Sequence, residues 1–95
     1  MTARARHTVR YGIIGTGMIA RVHAQAIRAA ANSELVAVHD AIPERAAAFA
    51  REFGVAWESD LGAFLGRRDV DAVTVATPSR SRADVAVPAA QAGKH

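Results

Sequence analysis

Residues 9–20 read Val9-Arg10-Tyr11-Gly12-Ile13-Ile14-Gly15-Thr16-Gly17-Met18-Ile19-Ala20. The first six predict a strand, and from Met18 to Ala31 the residues Ile19, Val22, Ala26, Ile27 and Ala30 recur at helical spacing, so a glycine turn joins strand to helix. Within it, Gly15, Gly17 and Ala20 occupy the fixed positions of the pattern G-x-G-x-x-A. Gly15 permits a tight turn out of the strand, Gly17 leaves the backbone open to close approach, and small Ala20 lets the helix pack near the sheet.

Downstream of this unit, Leu35–His39 form a continuous apolar run after the polar break Asn32-Ser33-Glu34, as expected for a strand covered on both faces. The run ends at Asp40, 20 residues beyond Ala20. Pro43 suits a first helical turn, and Ala46, Phe49, Ala50 and Phe53 repeat at spacings of three and four until Gly54 stops the helix. Ile42 stands where a capping side chain is usual, which forfeits about 1 kcal/mol. Val55–Trp57 predict a short strand. Ser59 or Asp60 then caps a weak helix carrying Leu61, Phe64 and Leu65 and interrupted by Gly62. Asp71–Ala76 predict a fourth strand, broken by Thr77-Pro78, and a last helix runs from Ser81 to Ala92, kinked or shortened at Pro88.

Strands alternating with helices at this interval imply right-handed crossovers and a parallel sheet. The expected fold is α/β, a Rossmann-type three-layer arrangement with four strands in the order 3-2-1-4, incomplete at a fifth strand. Residues 1–7 are expected to form a short tail and residues 8–95 a partial dinucleotide-binding domain, with the substrate domain absent.

A glycine turn alone also serves purely steric ends, but its pairing with Asp40 points to chemistry. The free amides of the first helical turn, those of Met18 and Ile19, can donate to a pyrophosphate held over Gly15-Thr16-Gly17, where the helix dipole favours an anion. Asp40 can accept hydrogen bonds from the adenosine ribose. Ala41 and Ile42 follow it, so no neighbouring arginine pairs with a 2′-phosphate, and the carboxylate repels one. NAD is favoured over NADP. Arg80 and Arg82 are the basic residues considered able to reach the crevice, although exposed surface charge is the simpler account of both.

The rest of the composition narrows the alternatives. Net charge is +3, with twelve basic residues scattered among nine acidic ones. The clusters at Arg4, Arg6 and Arg10, at Arg67 and Arg68, and at Arg80 and Arg82 lack interleaved aromatic residues, so no nucleic-acid partner is expected. Cysteine is absent, which removes disulfides and thiolate chemistry and suits a cytoplasmic protein. No apolar run is long enough for a membrane span, and no leader precedes the first strand. His7, His23, His39 and His95 show no zinc-binding spacing, so no metal is expected. His23 reads as a helix-face residue and Lys94 as a cation at a helix C-terminus.

Taken together, these residues resemble the N-terminal domain of the Gfo/Idh/MocA family of sugar and inositol dehydrogenases. The resemblance rests on Gly12–Ala20 followed by His23-Ala24, on Leu35–Asp40 followed by Pro43-Glu44-Arg45-Ala46, on Asp71-Ala72-Val73 leading to Ala76-Thr77-Pro78, and on Ala92-Gly93-Lys94-His95. It implies that Ala76, Thr77, Pro78 and Ser79 lie beside the nicotinamide end of the cofactor. This chain departs from the family pattern with Ser79 where asparagine is frequent and Arg82 where histidine is frequent. The family continues into a Glu-Lys-Pro motif whose lysine assists proton transfer, and then into a substrate domain. Lys94 belongs to the preceding Gly-Lys-His and does not replace that lysine, so no catalytic residue is assigned.

The expected function is therefore that of the cofactor-binding part of a dehydrogenase acting on sugar-, polyol- or inositol-like substrates. The alternative is a non-catalytic dinucleotide-binding module, or one that self-associates through an exposed fourth strand. A methyltransferase fits less well, because Ile13 and Ile14 stand where an acidic residue would precede the turn.

Overall fold

The computed structural model describes residues 8–77 and Gly93. Its elements run β1 (Val9–Ile14), α1 (Met18–Ala29), β2 (Ser33–His39), α2 (Pro43–Phe53), β3 (Ala56–Glu58), α3 (Leu61–Leu65) and β4 (Ala72–Val75). All pairings are parallel and the strand order is β3-β2-β1-β4, as the alternation of elements predicts. The expected final helix, Ser81–Ala92 with Pro88, lies outside the described residues.

Side-chain alternation explains why the central strands are apolar throughout. Ile13 and Val38 join Ala20, Ala24, Ile27, Phe49, Ala50 and Phe53 in one core cluster, while their neighbours Ile14 and Ala37 join Phe64, Leu65 and Val70 in another. Successive residues point to opposite faces, so a strand covered on both sides needs both parities apolar. Helices α1 and α2 cover the first face and α3 the second.

The two long helices end by different means. α1 ends at Ala29, two residues before the expected Ala31, and its cap Ala30, with an extended backbone, still donates to the carbonyls of Ala26 and Ile27. α2 starts at Pro43 without a side-chain cap and ends at Gly54, which has φ 68°. Packing compensates for the missing cap: the Phe49 and Phe53 rings stack at 4.7 Å, Arg21 of α1 pairs with Glu52, and Arg28 donates to the Phe53 carbonyl.

Two boundaries depart from expectation. β2 begins at Ser33, inside the polar segment read as a break, because Ser33 and Glu34 pair with Val9 and Arg10 at the exposed start of β1. Parallel pairing to β1 outweighs composition there. β3 is displaced by one residue to Ala56–Glu58, following the pairing of Glu58 with His39. Of the two candidate caps for α3, Asp60 is the one used, its carboxylate accepting from the Ala63 amide at 2.8 Å.

Gly12 has a packing role. The β1–β2 register shifts between Tyr11 and Gly12, and a Cβ at Gly12 would stand 2.5 Å from the Phe64 ring and 3.2 Å from Val70. A glycine inside a strand often marks such an irregularity and such a close approach.

Candidate functional site

The carboxyl ends of β1, β2 and β4 converge on one crevice. β1 delivers Gly15 there with φ 102°, a left-handed conformation that favours glycine, and a Cβ would press within 3.1 Å of the Ala76 backbone and of Thr77. The Gly15 amide donates to the His39 carbonyl at 2.7 Å, and the Ala76 amide donates to the Ile14 carbonyl at 2.8 Å. Three segments distant in sequence are thereby fixed in one place: the glycine turn, the end of β2, and the Ala76-Thr77 loop. Pro78 and Ser79, also expected at the site, lie outside the described residues, as do Arg80 and Arg82.

Gly17 is glycine for a different reason. It caps α1 with an extended backbone and no side-chain cap bond. Among the described residues, the Arg45 guanidinium end, at 3.9 Å, is the one group within 4 Å of its would-be Cβ. Packing among the described residues does not require glycine at this point, whereas an approaching phosphate would. The first turn of α1 carries no acidic side chain, so the helix itself supplies no anion to its own N-terminus. Met18 and Ile19 are exposed there, while Ala20 and Ala24 are fully buried and bring α1 close to the sheet. The residues present therefore fit a dinucleotide: a bare backbone edge, an uncapped helix N-terminus and a nearby carboxylate.

That carboxylate is Asp40, whose side chain is 12% exposed. Thr16 donates its hydroxyl to Oδ2 at 2.7 Å and the Ile42 amide donates to Oδ1 at 2.9 Å. Both donors are neutral and each oxygen accepts from one of them, which leaves further acceptor capacity on both. Thr16, which sits between the two glycines, thus ties the turn to Asp40.

Arg45 corrects the expectation that no arginine stands near Asp40. Its Nε lies 3.8 Å from Asp40 Oδ2, because helix α2 starts at Pro43 and its first turn brings position 45 back over the crevice. Ala41 and Ile42, the two residues next in sequence, give no hint of it. The signal was the Pro43 helix start, which sets the phase of Arg45.

His23 is a helix-face residue with a partner, its Nδ1 lying 3.0 Å from Thr74 Oγ1 on β4. The two line a shallow apolar groove with Tyr11 and Ser33, toward the starts of β1 and β2 and away from Asp40. No helix among the described residues is long and apolar enough to cross a membrane.

Comparison with known proteins agrees with this geometry. Residues 9–95 match the Gfo/Idh/MocA family profile, described as an oxidoreductase family with an NAD-binding Rossmann fold. The inositol 2-dehydrogenase of Rhizobium meliloti strain 1021 is 41% identical over 87 residues, which are 92% of this chain and 26% of that protein. The crystal structure of scyllo-inositol dehydrogenase from Lactobacillus casei, with bound NAD(H) and scyllo-inositol, superposes with a TM-score of 0.80 at 30% identity over 93% of this chain and 26% of that one. The WlbA dehydrogenase from Bordetella pertussis, in complex with NADH and UDP-GlcNAcA, gives a TM-score of 0.86 at 35% identity over 93% of this chain and 27% of that one. The chain thus spans about a quarter of the length of the relatives it matches.

Proposed function

The chain belongs to the Gfo/Idh/MocA oxidoreductase family and supplies its NAD-binding Rossmann domain, and on that premise we propose that it binds NAD, in preference to NADP, for a dehydrogenase acting on a cyclic polyol or sugar. The observation that carries the reading is Gly17, a glycine that packing among the described residues does not require, at the N-terminus of a helix that lacks a side-chain cap. In this reading the amides of Met18 and Ile19 hold the pyrophosphate above Gly15, Thr16 and Gly17. Asp40, steadied by Thr16, accepts from the adenosine ribose hydroxyls. Ala76, Thr77, Pro78 and Ser79 border the nicotinamide side.

The bound nicotinamide would supply the hydride chemistry, and the residues of this chain bind and orient it. None of them is assigned to proton transfer. The preference for NAD rests on the charge that Asp40 presents to a 2′-phosphate; Arg45 opposes that repulsion in part. The choice of a polyol or sugar substrate rests on the relatives, and a cytoplasmic location on the absence of cysteine. Calorimetric titration with NAD and NADP, followed by reduction assays with inositols and sugars, tests the proposal. Tighter binding of NAD without turnover is expected. A folded sample that binds neither dinucleotide would overturn the reading, and turnover would show that a residue of this chain moves the proton.

A second reading, self-association, is supported by β4, which has β1 as its one neighbouring strand among the described residues. An unpaired strand edge is a template for another chain. Light scattering across a concentration series tests it, and a monomer at all concentrations would reject it.

A further inference from the structure

The best-buried polar side chain beside the crevice has no part in the binding scheme above. His39 is 8% exposed, points to the face covered by α3, and packs its ring against Phe64 with centroids 5.7 Å apart. Its Nδ1 is buried and has no hydrogen-bond partner among the described residues. The same residue holds the site together through its backbone. Its carbonyl accepts from Gly15, its register partners are Ile14 on β1 and Glu58 on β3, and Asp40 follows it directly.

We propose that His39 is a positioning residue for Asp40, and that proton uptake by its ring weakens dinucleotide binding. The inference rests on the cofactor reading of the crevice. A neutral ring fits the apolar contact with Phe64. A proton on Nδ1 creates a buried cation and a donor with no acceptor in place among the described residues, which is costly unless a partner moves. The charged groups that act on the ring are Asp40 beside it, Glu58 on β3 and Asp60 at the start of α3. Asp40 is the strongest of these influences, and it is also the carboxylate held by Thr16 and offered to the ribose. The charge of an imidazolium would attract this carboxylate through space and so oppose its hold by Thr16 and its acceptance from a ribose. If the ring instead leaves its pocket, it disturbs the strand end whose carbonyl holds Gly15. Both responses lower affinity.

Burial pushes the ring below the ordinary histidine value, against the opposing pull of Asp40, a backbone hydrogen bond at Ser59, Asp60 and Glu58. The neutral ring is thus the resting form near pH 7, and the effect develops on acidification. Binding favours the unprotonated state, so the dissociation constant rises as pH falls, by at most about tenfold per pH unit for one coupled proton.

The test is calorimetric titration with NAD⁺, which survives mild acid, from about pH 7.5 to about pH 4.5, a range that extends well below the ordinary histidine value of about 6.5. His39→Phe and His39→Gln are compared with the unmodified chain, with circular dichroism at each pH to establish folding. A dissociation constant that rises several-fold on acidification in the unmodified chain, and stays flat in whichever His39 variant folds, supports the proposal. His23→Gln, altered in the ring bonded to Thr74 on the other face, should keep the unmodified slope. A flat profile in the unmodified chain, or an unchanged slope in the His39 variants, would overturn the role of His39 while leaving the cofactor site intact. No binding at pH 7.5 would overturn the cofactor reading and this inference with it.

Discussion

Two aspartates stand at opposite ends of the same sheet and are held in contrasting ways. Asp71, just before β4, is clamped by Arg10: Oδ2 accepts from the Arg10 amide and Nε, both at 3.0 Å, and Oδ1 accepts from Nη2 at 3.0 Å. Asp40, just after β2, is held by a hydroxyl and an amide, with its arginine at 3.8 Å, beyond hydrogen-bonding reach. A carboxylate in a forked pair has its charge and geometry satisfied within the protein. One held by neutral donors remains able to accept from a ligand. The contrast separates a carboxylate that fastens the sheet from one that is kept ready for a partner.

The largest expected effect breaks the comparison directly. Asp40→Ala should weaken NAD binding by about 1.5–3 kcal/mol, the range for hydrogen bonds to a charged group, and lessen discrimination against NADP. Asp71→Ala should leave both affinities unchanged and cost at most about 1 kcal/mol of stability, because its ion pair is about two-fifths exposed on either side. Calorimetry and urea denaturation of the two variants decide it. The reverse pattern would show that the roles are misassigned.

The glycines sharpen the same contrast at the ligand end. Gly15→Ala forces an unfavourable backbone and a contact of 3.1 Å with Ala76, so it should lower stability by about 1–3 kcal/mol. Gly17→Ala meets, among the described residues, only the end of Arg45, and it should barely change the urea midpoint while weakening NAD. Equal losses of stability in the two variants would remove the argument that Gly17 is reserved for a ligand. A smaller effect is expected of Arg45→Ala. Removing a half-exposed cation near Asp40 should weaken NADP more than NAD, by about 0.5–1 kcal/mol, and an unchanged ratio of the two affinities would take Arg45 out of specificity.

Which of these features the sequence reveals depends on how local they are. The turn from Gly15 to Ala20, the end of β2 at Asp40, and α2 between Pro43 and Gly54 are written in spacing and turn chemistry, which act over a few residues. The strand order follows from alternation and crossover handedness. Features set by partners distant in sequence are not legible in this way. Gly12 is explained by Phe64 and Val70, Ser33 and Glu34 become strand through Val9 and Arg10, and the burial of His39 depends on Phe64. Arg45 lies between these cases, since its proximity to Asp40 required following the helix for one turn rather than reading the next two residues.

The smallest effect concerns pH, and it sets the two ends of the sheet apart by where each loses stability. Asp69 is held below the ordinary aspartate value by its hydrogen bonds from Arg67, against the cost of its partial burial. A lowered carboxylate contributes stability that is complete above its unfolded value and lost as pH falls through the folded one, a window below about pH 4. His39 is lowered by burial, so the unfolded chain binds its proton more readily; the associated stability is present above about pH 6.5 and declines as pH falls toward the depressed value. Thermal melts across pH should therefore show two separate acid limbs. Asp69→Asn should remove the lower limb, worth under about 1 kcal/mol because the carboxylate is two-fifths exposed, and leave the upper one in place. His39→Phe should do the opposite. Loss of the upper limb in Asp69→Asn would mean that the two ends of the sheet titrate as one unit, and the separation between a fastened end and a ligand-ready end would fail.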